Sequence, residues 1–137
     1  MTDQSASDSL EESRDTTVVV QRSVSQPVKE VWRMLATPAG AEALLGEGGM
    51  LGDKGDSWHA ADGTYGVVRS YHPLEQIRFS WHASAEAPKS LVDLHLLQSS
   101  DDETVVEIRH ENIPGGWDTV AITKRWEDAL DRIATSK

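Results

Sequence analysis

Catalysis near neutral pH needs a titratable or nucleophilic side chain held in a defined place, and this 137-residue chain offers few candidates. It has no cysteine, which excludes thiol nucleophiles, disulfides and Cys-ligated metals. Its histidines stand at positions 59, 72, 82, 95 and 110. No two are four residues apart, so no metal site is expected. Serine is plentiful, yet no Gly-x-Ser-x-Gly elbow is present. His110 is the candidate that remains. It ends an apolar row, where an imidazole can hydrogen-bond a ligand or act as a general base. It can equally be a core histidine bonded to a backbone carbonyl. Tyr71 and Ser70 are the groups that would serve beside it in an enzyme.

Three alternating segments, 75–83, 90–98 and 103–113, must position His110. Stacked as an antiparallel meander with a turn at Ser100-Asp101-Asp102, they place Asp93 opposite Arg109 and His95 opposite Glu107. The same register sets Val92 against His110, Leu94 against Ile108 and Leu96 against Val106. One face is then apolar and the other a ladder of complementary charge. A slip of one residue destroys both patterns together. Asp93 and Glu107 are opposed by cations in this register, so they read as structural rather than as a catalytic carboxylate pair. On the earlier strand, Trp81, Phe79 and Ile77 are expected beside Val92, Leu94 and Leu96.

The first strand spans 16–25, with Val18, Val20 and Val24 on one face. Gln26-Pro27 opens a helix that buries Val28, Val31, Trp32 and Leu35. Thr37-Pro38 breaks it, and Thr37 caps a second short helix running to Leu45. Five glycines follow between 46 and 55. Without a Gly-Lys-Ser/Thr ending they read as a flexible connection, suited to gate a cavity. A short strand at 57–60, an Asp62-Gly63 turn and a strand at 64–72 come next. Two registers compete for that last strand. One turns Gly66, Val68 and Ser70 inward, and the other turns Tyr65, Val67 and Tyr71 inward. At the end of the chain Ile122, Trp126, Ala129, Leu130 and Ile133 form the stripe of an amphipathic helix over 117–135, long enough to cover the sheet.

A net charge of −10 argues against nucleic-acid and anionic-membrane partners, because phosphate recognition needs clustered Lys and Arg. Residues 1–15 are acidic and carry one large apolar side chain, Leu10, so they read as a disordered acidic tail before a single domain over 16–137. Neither a secretory signal nor a stretch of transmembrane length is seen, so a cytoplasmic protein is expected. Five tryptophans in a chain of this length can fill a core or line a cavity.

The order of elements predicts an α+β fold. A curved antiparallel sheet of about six strands grips a long C-terminal helix, with two short helices after the first strand. Several segments, in order, carry a family likeness. They are Pro27-Val28-Lys29-Glu30-Val31-Trp32, Ala36-Thr37-Pro38, Asp62-Gly63-Thr64-Tyr65-Gly66, Leu74 with Phe79-Ser80-Trp81, Thr104 through His110, and Arg125-Trp126-Glu127-Asp128-Ala129-Leu130. Over about 16–134 the chain resembles the START-like helix-grip (SRPBCC) superfamily. Within it the likeness is to small bacterial proteins related to the C-terminal domain of the activator of the heat-shock-protein-90 ATPase, a likeness that also suggests a stress-response setting. Family members commonly carry a Trp shortly after the Thr-Pro helix start, where this chain has Ala41 to Leu45.

The resemblance implies an apolar cavity between sheet and helix, with Trp32, Val68, Phe79, Trp81, Val92, Leu94, Ile108, His110, Ile122 and Trp126 as its ligand-binding residues. The expected ligand is an apolar small molecule, lipid-like or polyketide-like, bound without a cofactor by a monomer or weak homodimer. The alternatives are an enzyme of polyketide cyclase or aromatase type using His110, and a chaperone-associated module whose acidic surface meets a protein partner. Binding, with no catalytic residue, is the leading expectation.

Overall fold

The structure is a computed structural model that describes residues 16–50, 52–84, 86–114 and 117–135. The acidic tail read at 1–15 lies outside the described residues. Strand β1 (Thr16–Val24) leads to helices α1 (Val28–Leu35) and α2 (Pro38–Leu45). Strands β2 (Ser57–His59), β3 (Tyr65–His72), β4 (Gln76–Trp81), β5 (Ser90–Ser100) and β6 (Glu103–Ile113) form a meander, and helix α3 (Thr119–Thr135) closes the chain. The sheet order is β1-β6-β5-β4-β3-β2 with every pairing antiparallel, so β1 returns to the far edge beside β6.

Local chemistry accounts for the short helices. Pro27 caps α1 rather than entering it, and its carbonyl accepts from the amides of Glu30 and Val31. Thr37 Oγ1 accepts from Gly40 N at 3.1 Å, and Pro38 occupies the first turn of α2, where a missing N–H costs nothing. Helix α3 starts at Thr119, two residues later than its periodicity suggested. Asp118 takes the capping position, accepting from Ala121 N at 3.1 Å, and Trp117 stays in the approach. The five residues of the α3 stripe are all buried. Two arginines of α3 then reach α2. Arg125 Nη2 donates to Leu45 O, and Arg132 donates to Ala43 O, so side chains cap carbonyls at the end of α2.

The β5–β6 register is the expected one at every named pair, including Asp93↔Arg109, His95↔Glu107 and Val92↔His110. The β4–β5 register differs by two residues. Phe79 lies against Val92, Ile77 against Leu94 and Trp81 against Ser90. A two-residue slip keeps every side chain on its face, so alternation cannot detect it. The charged face also pairs differently. Asp93 is buried rather than exposed, and accepts from Gln76 Nε2 (2.6 Å) and Arg78 Nη1 (3.2 Å), with His95 Nε2 at 3.0 Å. Arg109 instead sits between Glu107 and Glu111 of its own strand, each at 3.9 Å. The short Asp93 side chain meets Arg78, directly opposite on β4, and that contact wins.

Both β3 registers are partly present. Val68 faces Phe79, and Gly66 and Val68 turn inward. The register then shifts between Val68 and Ser70, which leaves Arg69 exposed and turns Tyr71 toward the core. The glycine-rich connection is tied to its neighbours rather than free. Gly55 N donates to Val68 O, Val68 N to Asp56 O, and Ala61 N to Glu47 O.

Gly66 lies between Trp58 on β2 and the row of Trp81 on β4. A Cβ there would overlap the Ser80 carbonyl oxygen and come within 2.9 Å of Trp58 Nε1. Gly63, in contrast, has φ +94° with open space around it. Gly66→Ala is therefore expected to cost about 2–3 kcal/mol by overpacking, against about 1 kcal/mol of backbone strain for Gly63→Ala. Urea denaturation of both variants checks the order, and equal losses would show that the sheet yields at position 66.

Candidate functional site: an aromatic junction between sheet and helix

Alternation along β6 turns His110 inward, and the α3 stripe brings Trp126 down onto it. His110 is fully buried. Its ring stands edge-on to Trp81 at 5.0 Å and to Trp126 at 5.8 Å between centroids. Trp81 also meets Trp126 at 6.2 Å and half-buried Trp117 at 6.1 Å. The Arg125 guanidinium lies over Trp81 at 5.3 Å and over Trp126 at 5.6 Å. Helix, sheet and the segment leading into α3 thus meet in one aromatic cluster.

The hydrogen bonds within the cluster determine the protonation of His110. Trp126 Nε1 can only donate, and it lies 3.1 Å from His110 Nδ1. Nδ1 is therefore the bare nitrogen, and a neutral ring carries its proton on Nε2. That N–H donates to Ser90 Oγ at 2.7 Å, and the Ser90 hydroxyl donates to Trp81 O at 3.0 Å. Every polar atom of this relay is satisfied in one direction. The imidazolium has no place here, since a second proton would point at the Trp126 N–H. Burial, with the charge of Arg125 second, accordingly lowers the His110 pKa from 6.5 to about 4.

The relay also rules on chemistry. Ser90 and His110 stand at the separation of a nucleophile and its base. Yet Nε2 already holds a proton and Nδ1 is already occupied, so the ring cannot take the serine proton. Tyr71 packs against Trp32 at 5.3 Å, on α1, rather than joining His110.

Two other polar groups are not satisfied. Trp58 Nε1 and Trp81 Nε1 are buried and have no hydrogen-bond partner among the described residues. The two indoles flank the row of Gly66, and Trp58 stands edge-on to Phe79 at 5.6 Å. A buried donor without an acceptor costs about 1–3 kcal/mol.

Of the residues named from the sequence, the structure gathers Trp81, His110 and Trp126 in the cluster. Val68, Phe79 and Val92 adjoin one another across β3, β4 and β5, while Leu94 and Ile108 face each other fully buried in the core. Ile122 lies on the buried stripe of α3. Trp32 is set apart. With Leu35, Ala36, Tyr71 and Ile77 it lines a crevice of about 30 Å³, room for about one water molecule. Sequence reasoning missed Ser90, Trp58, Trp117 and Arg125. Ser90 shares the inward parity of Val92 and Leu94, a usable signal. Arg125 lies off the apolar stripe, and no periodicity could mark it. Among the described residues no group of His, Asp and Glu is arranged to hold a metal ion, and no helix is long and apolar enough to cross a membrane.

A curved open sheet gripping a C-terminal helix defines the START-like helix-grip class, and comparison with known proteins agrees. The sequence profile described as "Activator of Hsp90 ATPase homolog 1-like protein" matches residues 25–136, and the chain belongs to that family. No curated protein matches the sequence. Among solved structures, CalU16 from Micromonospora echinospora is similar at 23% identity and a TM-score of 0.74, over 87% of this chain and 74% of that one. DynU16, a protein of the dynemicin biosynthetic locus, is similar at 24% identity and TM-score 0.70, over 86% of this chain. There the chain spans 45% of its relative. The Aha1 dimer from Colwellia psychrerythraea is similar at 15% identity and TM-score 0.70, over 87% and 93% of the two chains. At these identities the likeness is one of fold.

The depressed His110 pKa has a consequence for stability. As pH falls, the unfolded chain takes up this proton first. Stability from the neutral ring is fully present above pH 6.5 and is lost as pH falls from 6.5 toward 4, a span worth about 3 kcal/mol. His110→Gln, which does not titrate, is expected to lack that part of the pH dependence. Urea denaturation of both proteins between pH 7 and pH 4 checks it, and parallel curves would mean that His110 accepts a proton in the folded state.

Proposed function

We propose that this protein is a binding module that holds an apolar small molecule at the aromatic junction between the sheet and α3. The observation that carries the reading is the pair of buried indole N–H groups, on Trp58 and Trp81, left without acceptors among the described residues. Family members share a fold that binds hydrophobic ligands or serves as a polyketide cyclase. One structural neighbour, DynU16, is a protein of the dynemicin biosynthetic locus. Binding is favoured over catalysis because both nitrogens of His110 are engaged within the protein. The ligand class of this reading is lipid-like or polyketide-like, in keeping with the apolar and aromatic side chains that meet there.

Native mass spectrometry of the protein purified from its own host tests for a retained ligand. A second test uses the neutral dye N-phenyl-1-naphthylamine. Dye fluorescence is expected to rise on binding, and Trp117→Ala, at a half-buried position, to weaken affinity by about tenfold, in line with loss of an aromatic contact. Val120→Ser, on the exposed side of α3, is expected to leave it unchanged. A dye that fails to bind, or that binds both variants equally well, would remove the junction as the site.

A further inference from the structure

Arg125 at the rim of the junction suggests what kind of ligand enters. Both polar contacts of its guanidinium run through Nη2, to Leu45 O at 3.3 Å and Asp62 Oδ2 at 3.1 Å. Nε and Nη1 make no hydrogen bond among the described residues, although a guanidinium has five N–H donors in a fixed fork. The side chain is only 30% exposed, so water reaches it in part. Beneath it lies Trp81, whose buried Nε1–H also has no acceptor. A charged donor and a neutral donor are therefore both under-satisfied on one aromatic patch.

Asp62 supplies the counter-charge of this arrangement within the protein. It stands on the turn between β2 and β3, held by the Thr64 amide (3.1 Å) and hydroxyl (2.7 Å) through Oδ1. Its Oδ2 faces Arg125. Burial raises its pKa, but the Thr64 hydrogen bonds and the Arg125 charge outweigh that and leave it below the ordinary value. Asp62 is half-exposed and supplies the one carboxylate paired with Arg125 among the described residues. The donors left for a second carboxylate among the described residues are Nε and Nη1.

Resting on the reading of the junction as a ligand site, we propose that the ligand is an aromatic acid. Its planar part lies in the tryptophan cluster, and its carboxylate accepts from Trp81 Nε1–H and from Nε and Nη1 of Arg125. Arg is suited to this task because its planar fork matches a carboxylate with two parallel hydrogen bonds. A cationic ligand is disfavoured by the same guanidinium. The net charge of −10 does not decide the matter, since salt screens fields beyond about 10 Å. Arg125 and Asp62 offset each other as a pair, and Nε and Nη1 of Arg125 have no acceptor among the described residues.

Isothermal titration calorimetry with two probes of one shape tests the proposal. These are 2-naphthoate and the hydrocarbon 2-ethylnaphthalene. The wild-type protein is expected to favour 2-naphthoate by about tenfold or more, as a charge-assisted hydrogen bond implies. Arg125→Gln is expected to abolish that preference by weakening 2-naphthoate far more than 2-ethylnaphthalene, and Arg125→Lys to restore part of it. Trp81→Phe keeps an aromatic ring and removes the N–H, so it is expected to weaken 2-naphthoate alone. Asp62→Asn keeps the Oδ1 acceptor for Thr64 and removes the competing charge, so it is expected to tighten 2-naphthoate binding several-fold. A purely structural ion pair would not produce that gain. Equal affinity for the two probes, untouched by Arg125→Gln, overturns the aromatic-acid assignment and leaves the binding reading standing. Failure of both probes to bind overturns both.

Discussion

One directional hydrogen-bond relay ties the helix to the sheet. Trp126 donates to His110, His110 to Ser90, and Ser90 to the Trp81 carbonyl. The four residues belong to α3, β6, β5 and β4. Apolar packing holds α3 on the sheet but permits many small rotations, since burial is not directional. The relay removes that freedom, because a buried Trp N–H must find its acceptor. With Trp126 so placed, Trp81 packs edge-on to it, Trp117 packs on Trp81, and Arg125, one residue before Trp126, falls over the rings of Trp81 and Trp126.

The same relay separates what this interior can do from what its composition suggests. A buried serine and histidine at hydrogen-bond distance have the parts of a nucleophile pair. The Trp126 donor reverses the proton order, and the pair becomes a structural link. Reactivity then moves away from His110, and three groups among the described residues stay outside the relay without a full set of partners. Those are the Trp58 and Trp81 indoles and part of the Arg125 fork. The charged face of the sheet is organised independently. There Asp93 draws Gln76, Arg78 and His95 around one buried carboxylate. Charges are satisfied on one face and indoles are left open on the other.

Much of the fold was legible in the residues. The β5–β6 register could be read because both faces alternate and an Asp-Asp turn fixes the loop, so a one-residue slip violates two patterns at once. The α3 stripe was legible because five apolar residues share one helical face. The β4–β5 register was not, because a slip of two preserves parity and the connection 82–89 has Pro88 but no Gly, Asn or Asp to set its length. Strand β3 was ambiguous for a physical reason too, since its register shift satisfies each candidate pattern over part of its length. The position of His110 beside Trp81 was legible, but its partners were not.

Sequence by itself therefore determined which elements form, which face of each is buried, and which chemistries lack their residues. Those properties depend on periodicity and composition, which are local. Tertiary structure alone decided the tautomer of His110, the placement of Arg125 over Trp81, and the partner of Asp93. Each depends on atoms from elements distant in the chain meeting within about 3–5 Å, at hydrogen-bond or ring-contact range. No pattern along one strand or helix records such a meeting. Ser90 and His110 are twenty residues apart, and Arg125 is eighty from the Leu45 carbonyl it caps. Their geometry exists only once the helix is seated on the sheet.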